Sequence, residues 1–177
     1  MTVPNLITIL RLVLVPAVIV FIGQGRWGAA FALFAVAGVS DAVDGFIARR
    51  FDMRSEFGAY LDPLADKALL VSIYVALAVV GVLPSWLAIA VVSRDLTIVA
   101  AILISRLMDR PMEIRPLMVS KANTAAQIAF AGLVLGSLAF AVDLGPLLAV
   151  SVWVVAALTA VSAAAYLPRW LRHMPEP

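Results

Sequence analysis

Four aspartates, Asp41, Asp44, Asp62 and Asp66, stand in one short stretch of a 177-residue chain that is 64% hydrophobic and only 14% charged. An ionised carboxylate in hydrocarbon costs at least about 2.5 kcal/mol, so the four require a common reason. Asp41 and Asp44 are three residues apart and Asp62 and Asp66 four apart, spacings that put each pair on one face of a helix. Joined as an antiparallel hairpin, the two helices would carry Asp41 eight residues before Arg49 and Asp66 eight residues after Gly58. At 1.5 Å per residue both lie about 12 Å from the loop, and the expected result is a rough square of carboxylates. Like charges so placed stay ionised in a low dielectric only if cations occupy the square. An oxygen-only set favours Mg²⁺ or Mn²⁺, and two such ions suit chemistry on phosphate. Proton sharing among the acids is the alternative.

Small residues leave room for a polar ligand beside these carboxylates. Gly45 follows Asp44, Ala48 lies a turn further on, and Gly58 lies a turn before Asp62. Arg49 offers a planar fork to phosphate oxygens. Close helix packing is the structural alternative for the three small residues.

The elements that must position these residues follow from the apolar runs, about residues 5–23, 27–48, 58–81, 84–105, 120–141 and 145–167. In lipid every backbone polar group must be satisfied internally, and the runs are far too long for barrel strands, so the expectation is six transmembrane helices. The first run, with no basic segment before it and no small-residue cleavage site after it, is expected to be an uncleaved span. The whole of 1–177 then reads as one transmembrane catalytic domain, with 170–177 a polar tail.

Arg11, Arg49, Arg50, Arg54, Arg106, Arg110, Arg115, Lys121, Arg169 and Arg172 fall at one set of helix ends, and Arg26 stands alone at the other. The positive-inside rule makes the rich side cytoplasmic. The net charge of +2 therefore expresses sidedness and anionic-lipid contact; no basic face with interleaved aromatics exists, so nucleic acid is excluded as a partner. Cysteine is absent, which removes disulfides and thiolate metal sites. The lone His173 lies in the tail and has no second ligand near it. No repeat of 20 to 50 residues is evident, against an inverted-repeat transporter.

Written out, the acidic stretch is D41-x2-D44-G45-x2-A48-R49-x8-G58-x3-D62-x3-D66. It resembles the signature of the CDP-alcohol phosphatidyltransferases at every fixed position and spacing. The resemblance implies an all-α integral membrane protein with that family's six-helix fold and the motif on spans two and three. It implies attack of an acceptor hydroxyl on the β-phosphorus of a CDP-linked lipid, with release of CMP. Asp41, Asp44 and Asp62 would bind metal, and Asp66 would share in metal binding and act as general base. Gly45, Arg49 and Gly58 would contact the nucleotide and its diphosphate, and a homodimer is implied.

Outside the motif, Asn5, Thr8 and Arg11 form a narrow polar stripe on span one, either an interfacial anchor or, as in the similar family segment, part of the nucleotide pocket for Asn5 and Thr8. Arg94 and Asp95 interrupt span four. Neighbours on a helix do not face each other, so each is expected to have its own partner, with Arg94 facing either the acidic cavity or a structural pairing. The segment S120-K121-x-N123-T124-x2-Q127 is similar to cardiolipin synthases of the superfamily, whereas phosphatidylglycerophosphate synthases more often carry a second lysine at the Asn123 position. The acceptor-side cations are then Arg94, Arg115 and Lys121, enough for one phosphodiester. Gly132 and Gly136 make a GxxxG on span five, a weak sign of helix contact.

The expectation is transfer of a phosphatidyl group from CDP-diacylglycerol to phosphatidylglycerol, giving cardiolipin and CMP, at the cytoplasmic side of a bacterial inner membrane or its equivalent. Glycerol 3-phosphate as acceptor is the nearest alternative, and a divalent-cation transporter the alternative of another class.

Overall fold

Each apolar run becomes one helix. The computed structural model comprises α1 (Val3–Gly23), α2 (Trp27–Phe51), α3 (Glu56–Val79), α4 (Ser85–Leu107), α5 (Met118–Ala139) and α6 (Pro146–Leu171). It describes the backbone of residues 3–51, 56–107 and 118–171, and side chains for 10–41, 43, 65, 67–100 and 118–165. Among the described residues there is no strand. The helices outrun the apolar windows chiefly at the motif, where α2 continues to Phe51 and α3 begins at Glu56, and at the end of α6.

The described turns stop the helices by one device. At the end of α1, Arg26 N–H donates to the Phe21 carbonyl (2.9 Å) and Gly25 N–H to that of Ile22 (3.0 Å), with Gly25 left-handed at φ +68°, a Schellman closure. The end of α3 repeats it, with Val82 donating to Leu77 (2.9 Å) around Gly81 at φ +77°. After α5 the left-handed position falls on Ala141 (φ 53°), which lacks glycine's tolerance there. Gly145 N–H donates to Asp143 Oδ1 (2.8 Å) before Pro146 opens α6.

Around these turns α1 packs against both α2 and α3, α5 against α2, α3 and α6, and α4 against α3 and α6. Among the described residues α2 and α3 make no close approach. Over the described residues the two helices are separated by a gap, with α1 on one side and α5 on the other; the 52–55 joint of the expected hairpin lies outside the described residues. Their levels still correspond: Asp41 lies ten residues before Phe51 and Asp66 ten residues after Glu56, about 15 Å from the ends of their helices.

The apolar core joins all six helices through Val18, Ile22, Ile73, Leu77, Leu87, Val134 and Val155 with Ala30 of α2, all buried. Gly132 and Gly136 serve contact within the protomer: a Cβ on them would lie 3.2 Å from Phe34 and 3.3 Å from Phe31 of α2. Large apolar side chains such as Val79, Ile89 and Val150 are exposed on the outside, where a bilayer would cover them. Met118–Ala139 and Pro146–Ala165 are long and apolar enough to cross a membrane by themselves, and the described apolar stretches Leu10–Gly23, Trp27–Asp41 and Lys67–Val79 are shorter.

Candidate active site

The gap between α2 and α3 contains a cavity of about 260 Å³. Its polar lining takes one residue from each surrounding helix: Arg11 of α1, Asp41 of α2, Lys67 of α3 and Thr124 of α5, with Phe34 and Leu70 among the apolar walls. Arg11 Nη2 lies 3.0 Å from Asp41 Oδ1. The guanidinium side chain is 2% exposed and the carboxylate side chain 49%, so the arginine is locked in the bundle and the aspartate is left accessible. Arg11, eight residues into α1, reaches this level because about 12 Å of helix carries it there.

Asp44, Gly45, Ala48 and Arg49 occupy the last turns of α2, Gly58, Asp62 and Asp66 the first turns of α3, and Asn5 and Thr8 the first turns of α1. Their side chains lie outside the described residues, as does Arg115 entirely. Among the described residues no three His, Cys, Asp or Glu side chains stand together. Asp41 presents an accessible carboxylate to the cavity, with Oδ1 3.0 Å from Arg11, and a carboxylate oxygen is the ligand type a hard cation takes.

The other two acceptor-side candidates part company. Lys121 is exposed at the start of α5. Arg94 is buried between α4, α5 and α6, where Nη1 donates to Asp95 Oδ1 (2.6 Å), Nε to Ser162 Oγ (3.2 Å) and Nη2 to the hydroxyls of Ser120 and Ser162. The expectation that Arg94 and Asp95 are not mutual partners is corrected. Their Cβ atoms diverge, but the arginine's long arm curls back along its own helix, and a buried carboxylate holds it there. Asp95 also has the separate partner expected of it, Lys67 Nζ at 2.7 Å from Oδ2.

Asn123 lies in the interior of the bundle. It is fully buried, accepts from Thr159 Oγ1 at 3.1 Å, and belongs with Gln127, whose Nε2 donates to Thr159 (3.3 Å) and whose carbonyl accepts from the Tyr74 hydroxyl (3.1 Å). Lys67 is a cavity residue that pattern reading passed over, and Arg11 was read only as part of the polar stripe of α1 and of the basic helix ends. The signal for both was present: an in-span cation at the depth of the aspartates.

Comparison with known proteins bears on this arrangement. The family model described as CDP-alcohol phosphatidyltransferase matches residues 1–165. The chain belongs to the CDP-alcohol phosphatidyltransferase family. Within that family it is similar to a probable cardiolipin synthase (CMP-forming) of Drosophila melanogaster, 38% identical over 153 residues, covering 77% of this chain and 48% of the relative. It is similar to a probable phosphatidylglycerophosphate synthase of Mycobacterium tuberculosis, 42% identical over 98 residues, 52% of this chain and 47% of the relative. Against the CDP-diacylglycerol--glycerol-3-phosphate 3-phosphatidyltransferase of Bacillus subtilis it is 31% identical over 175 residues, 90% of each. The chain spans about half the length or less of the first curated relatives it matches. Membership in a family of membrane transferases, with two helices apolar enough to span, puts the chain at a membrane.

Proposed function

We propose that this CDP-alcohol phosphatidyltransferase transfers the phosphatidyl group of CDP-diacylglycerol to phosphatidylglycerol, forming cardiolipin and CMP. The observation that carries the reading is the cavity between α2 and α3, with the accessible Asp41 on its wall at the level where the backbone carries Asp66. Asp41, Asp44, Asp62 and Asp66 would hold one or two Mg²⁺ or Mn²⁺ ions. Bound there, the ions supply neutralisation of the diphosphate and of the departing CMP. Asp66 takes the proton of the attacking hydroxyl as the new O–P bond forms and the bond to CMP breaks. Gly45, Ala48, Arg49, Gly58, Asn5 and Thr8 hold the nucleotide and its phosphates, and Lys121 with Arg115 meets the acceptor. With Arg94 held in the α4–α6 network, that acceptor cluster is smaller than the composition alone allows, which suits a single phosphodiester charge better than a dianion.

We further infer six membrane spans with the basic ends and the active site on the cytoplasmic side of a bacterial inner membrane or its equivalent, a single catalytic domain, and a homodimer. Glycerol 3-phosphate is the second reading for the acceptor, favoured by the relative of Bacillus subtilis that matches over 90% of both chains. A transporter finds no support in the family assignment.

The deciding experiment supplies purified protein, CDP-diacylglycerol and divalent metal with each acceptor in turn. The expected product is cardiolipin from phosphatidylglycerol, with little phosphatidylglycerophosphate and with weakened acceptor use in Lys121→Ala. Efficient use of glycerol 3-phosphate with phosphatidylglycerol inert would replace the acceptor and keep the reaction class. Absence of CMP release with either would end the transfer reading.

A further inference from the structure

We propose that Lys67, positioned by Asp95, is a phosphate-binding residue of the cavity between α2 and α3, taking a phosphoryl oxygen of a bound substrate. The inference deepens the transfer reaction proposed above and rests on that reading. Among the described side chains, the cavity is lined by two cations, Arg11 and Lys67, and one carboxylate, Asp41. Asp41 already lies 3.0 Å from Arg11, so Lys67 draws its counter-charge from outside the cavity, from Asp95 at 2.7 Å.

That counter-charge is shared. Asp95 Oδ1 accepts from Arg94 at 2.6 Å while Oδ2 faces Lys67, so one carboxylate serves two cations. The ammonium has three donors, and its contact with Asp95 is a single N···O approach of 2.7 Å. Exposure distinguishes the two pairings: Arg94 and Asp95 are closed at 3% and 5%, whereas the Lys67 side chain is 33% exposed and lines the cavity. A purely structural ion pair would be closed on both sides, as Arg94–Asp95 is. Lys67 is paired at Nζ with Asp95 and is still partly exposed at the cavity wall, the arrangement of a point charge that can also take an anion. In a site that handles CDP-linked lipid and a phosphate-bearing acceptor, that anion is a phosphoryl oxygen, from the donor's diphosphate or from the acceptor. Asp95 acts through Lys67: anchored to α4, it fixes where the ammonium of α3 stands.

The test is a set of binding titrations on purified Lys67→Met, Lys67→Arg and Asp95→Glu proteins in Mg²⁺, using CDP, micellar phosphatidylglycerol and glycerol 3-phosphate, with thermal unfolding recorded for each. Lys67→Met should weaken CDP or the phosphate-bearing acceptor about tenfold or more, the scale of a lost charged hydrogen bond. A loss confined to CDP identifies the donor diphosphate as the source, and a loss confined to an acceptor identifies its phosphate. Lys67→Arg should regain most of the affinity, and Asp95→Glu should weaken the same ligand in part. Unchanged affinity for all three ligands in Lys67→Met, whatever its unfolding temperature, overturns the proposal and leaves a structural pair. Wild-type protein that binds CDP but transfers phosphatidyl to neither acceptor removes the proposed reaction alone; wild-type protein that binds none of the three overturns both.

Discussion

Arg11–Asp41 and Arg94–Asp95 are chemically the same pair in two surroundings. Both arginines are buried, at 2% and 3% side-chain exposure, yet Asp41 is 49% exposed and Asp95 only 5%. The difference lies in what surrounds the carboxylate. Asp41 stands where α2 and α3 are held apart and a cavity opens beside it. Asp95 stands where α4 packs on α3 and α6, with Lys67, Arg94 and the hydroxyls of Ser120 and Ser162 closing the network. A half-solvated carboxylate can exchange partners at little cost, whereas a closed one is held by the penalty of leaving buried cations unpaired. Residue type therefore says little about surroundings here; accessibility of the acid separates the carboxylate that a ligand can reach from the one that packing encloses.

The sharpest break of that comparison is in turnover. Asp41→Asn keeps an oxygen for Arg11 but removes the charge, so turnover should fall by about 10³-fold or more, given several kcal/mol of transition-state stabilisation by bound metal. The unfolding transition should barely move. Near-normal turnover at saturating metal would remove Asp41 from the ligand set. Asp66→Asn should be equally inactive yet still bind CDP-diacylglycerol with metal, because proton removal is lost; binding lost as deeply as in Asp41→Asn would make Asp66 an ordinary ligand.

On the closed side the expected loss is stability. Asp95→Ala leaves Lys67 and Arg94 without their shared carboxylate, and breaking such a buried pair costs about 3–5 kcal/mol. Denaturant unfolding in detergent would measure it, and a loss no larger than that of Asp41→Asn would erase the distinction between the two regions.

A smaller effect is expected at Asn123, fully buried against Thr159. Asn123→Ala should cost about 1 kcal/mol, the scale of an interhelical hydrogen bond in a membrane bundle, and Asn123→Lys about 3 kcal/mol, for burying an uncompensated charge in the core. Improved use of glycerol 3-phosphate by a stable Asn123→Lys protein would place that position in the acceptor site.

Smallest are the glycines of α5. In Gly132→Ala and Gly136→Ala the gain in helix propensity and the slight displacement of a phenylalanine ring oppose each other, leaving stability within about 1 kcal/mol. Only Phe34, which Gly132 touches, lines the cavity. A rise in donor KM should therefore appear in Gly132→Ala and not in Gly136→Ala; equal kinetics in the two would show that the Phe34 wall does not meet the donor.

Six helices were legible because hydropathy acts locally and each apolar run must satisfy its own backbone. The pairing of helices was not. A 3-residue or 4-residue spacing fixes which residues share a face but says nothing about which helix that face meets, so the places of α1 and α5 beside the gap between α2 and α3 were not legible. The same limit explains Arg94, whose partners are 26 and 68 residues away as well as adjacent.

By itself the sequence determined that carboxylates lie on the last turns of α2 and the first turns of α3, that small residues and Arg49 accompany them, and that their spacing is the family's. These are properties of residue type and helical period. Only the tertiary structure decided which charges are available. It buried Arg11 against an open Asp41, closed Arg94 and Asp95 on each other, left Lys67 at the cavity wall, and drew Asn123 into the core. The physical reason is that desolvation depends on every neighbour at once: a carboxylate with the same local sequence signal is reactive or structural according to how far the surrounding helices stand apart.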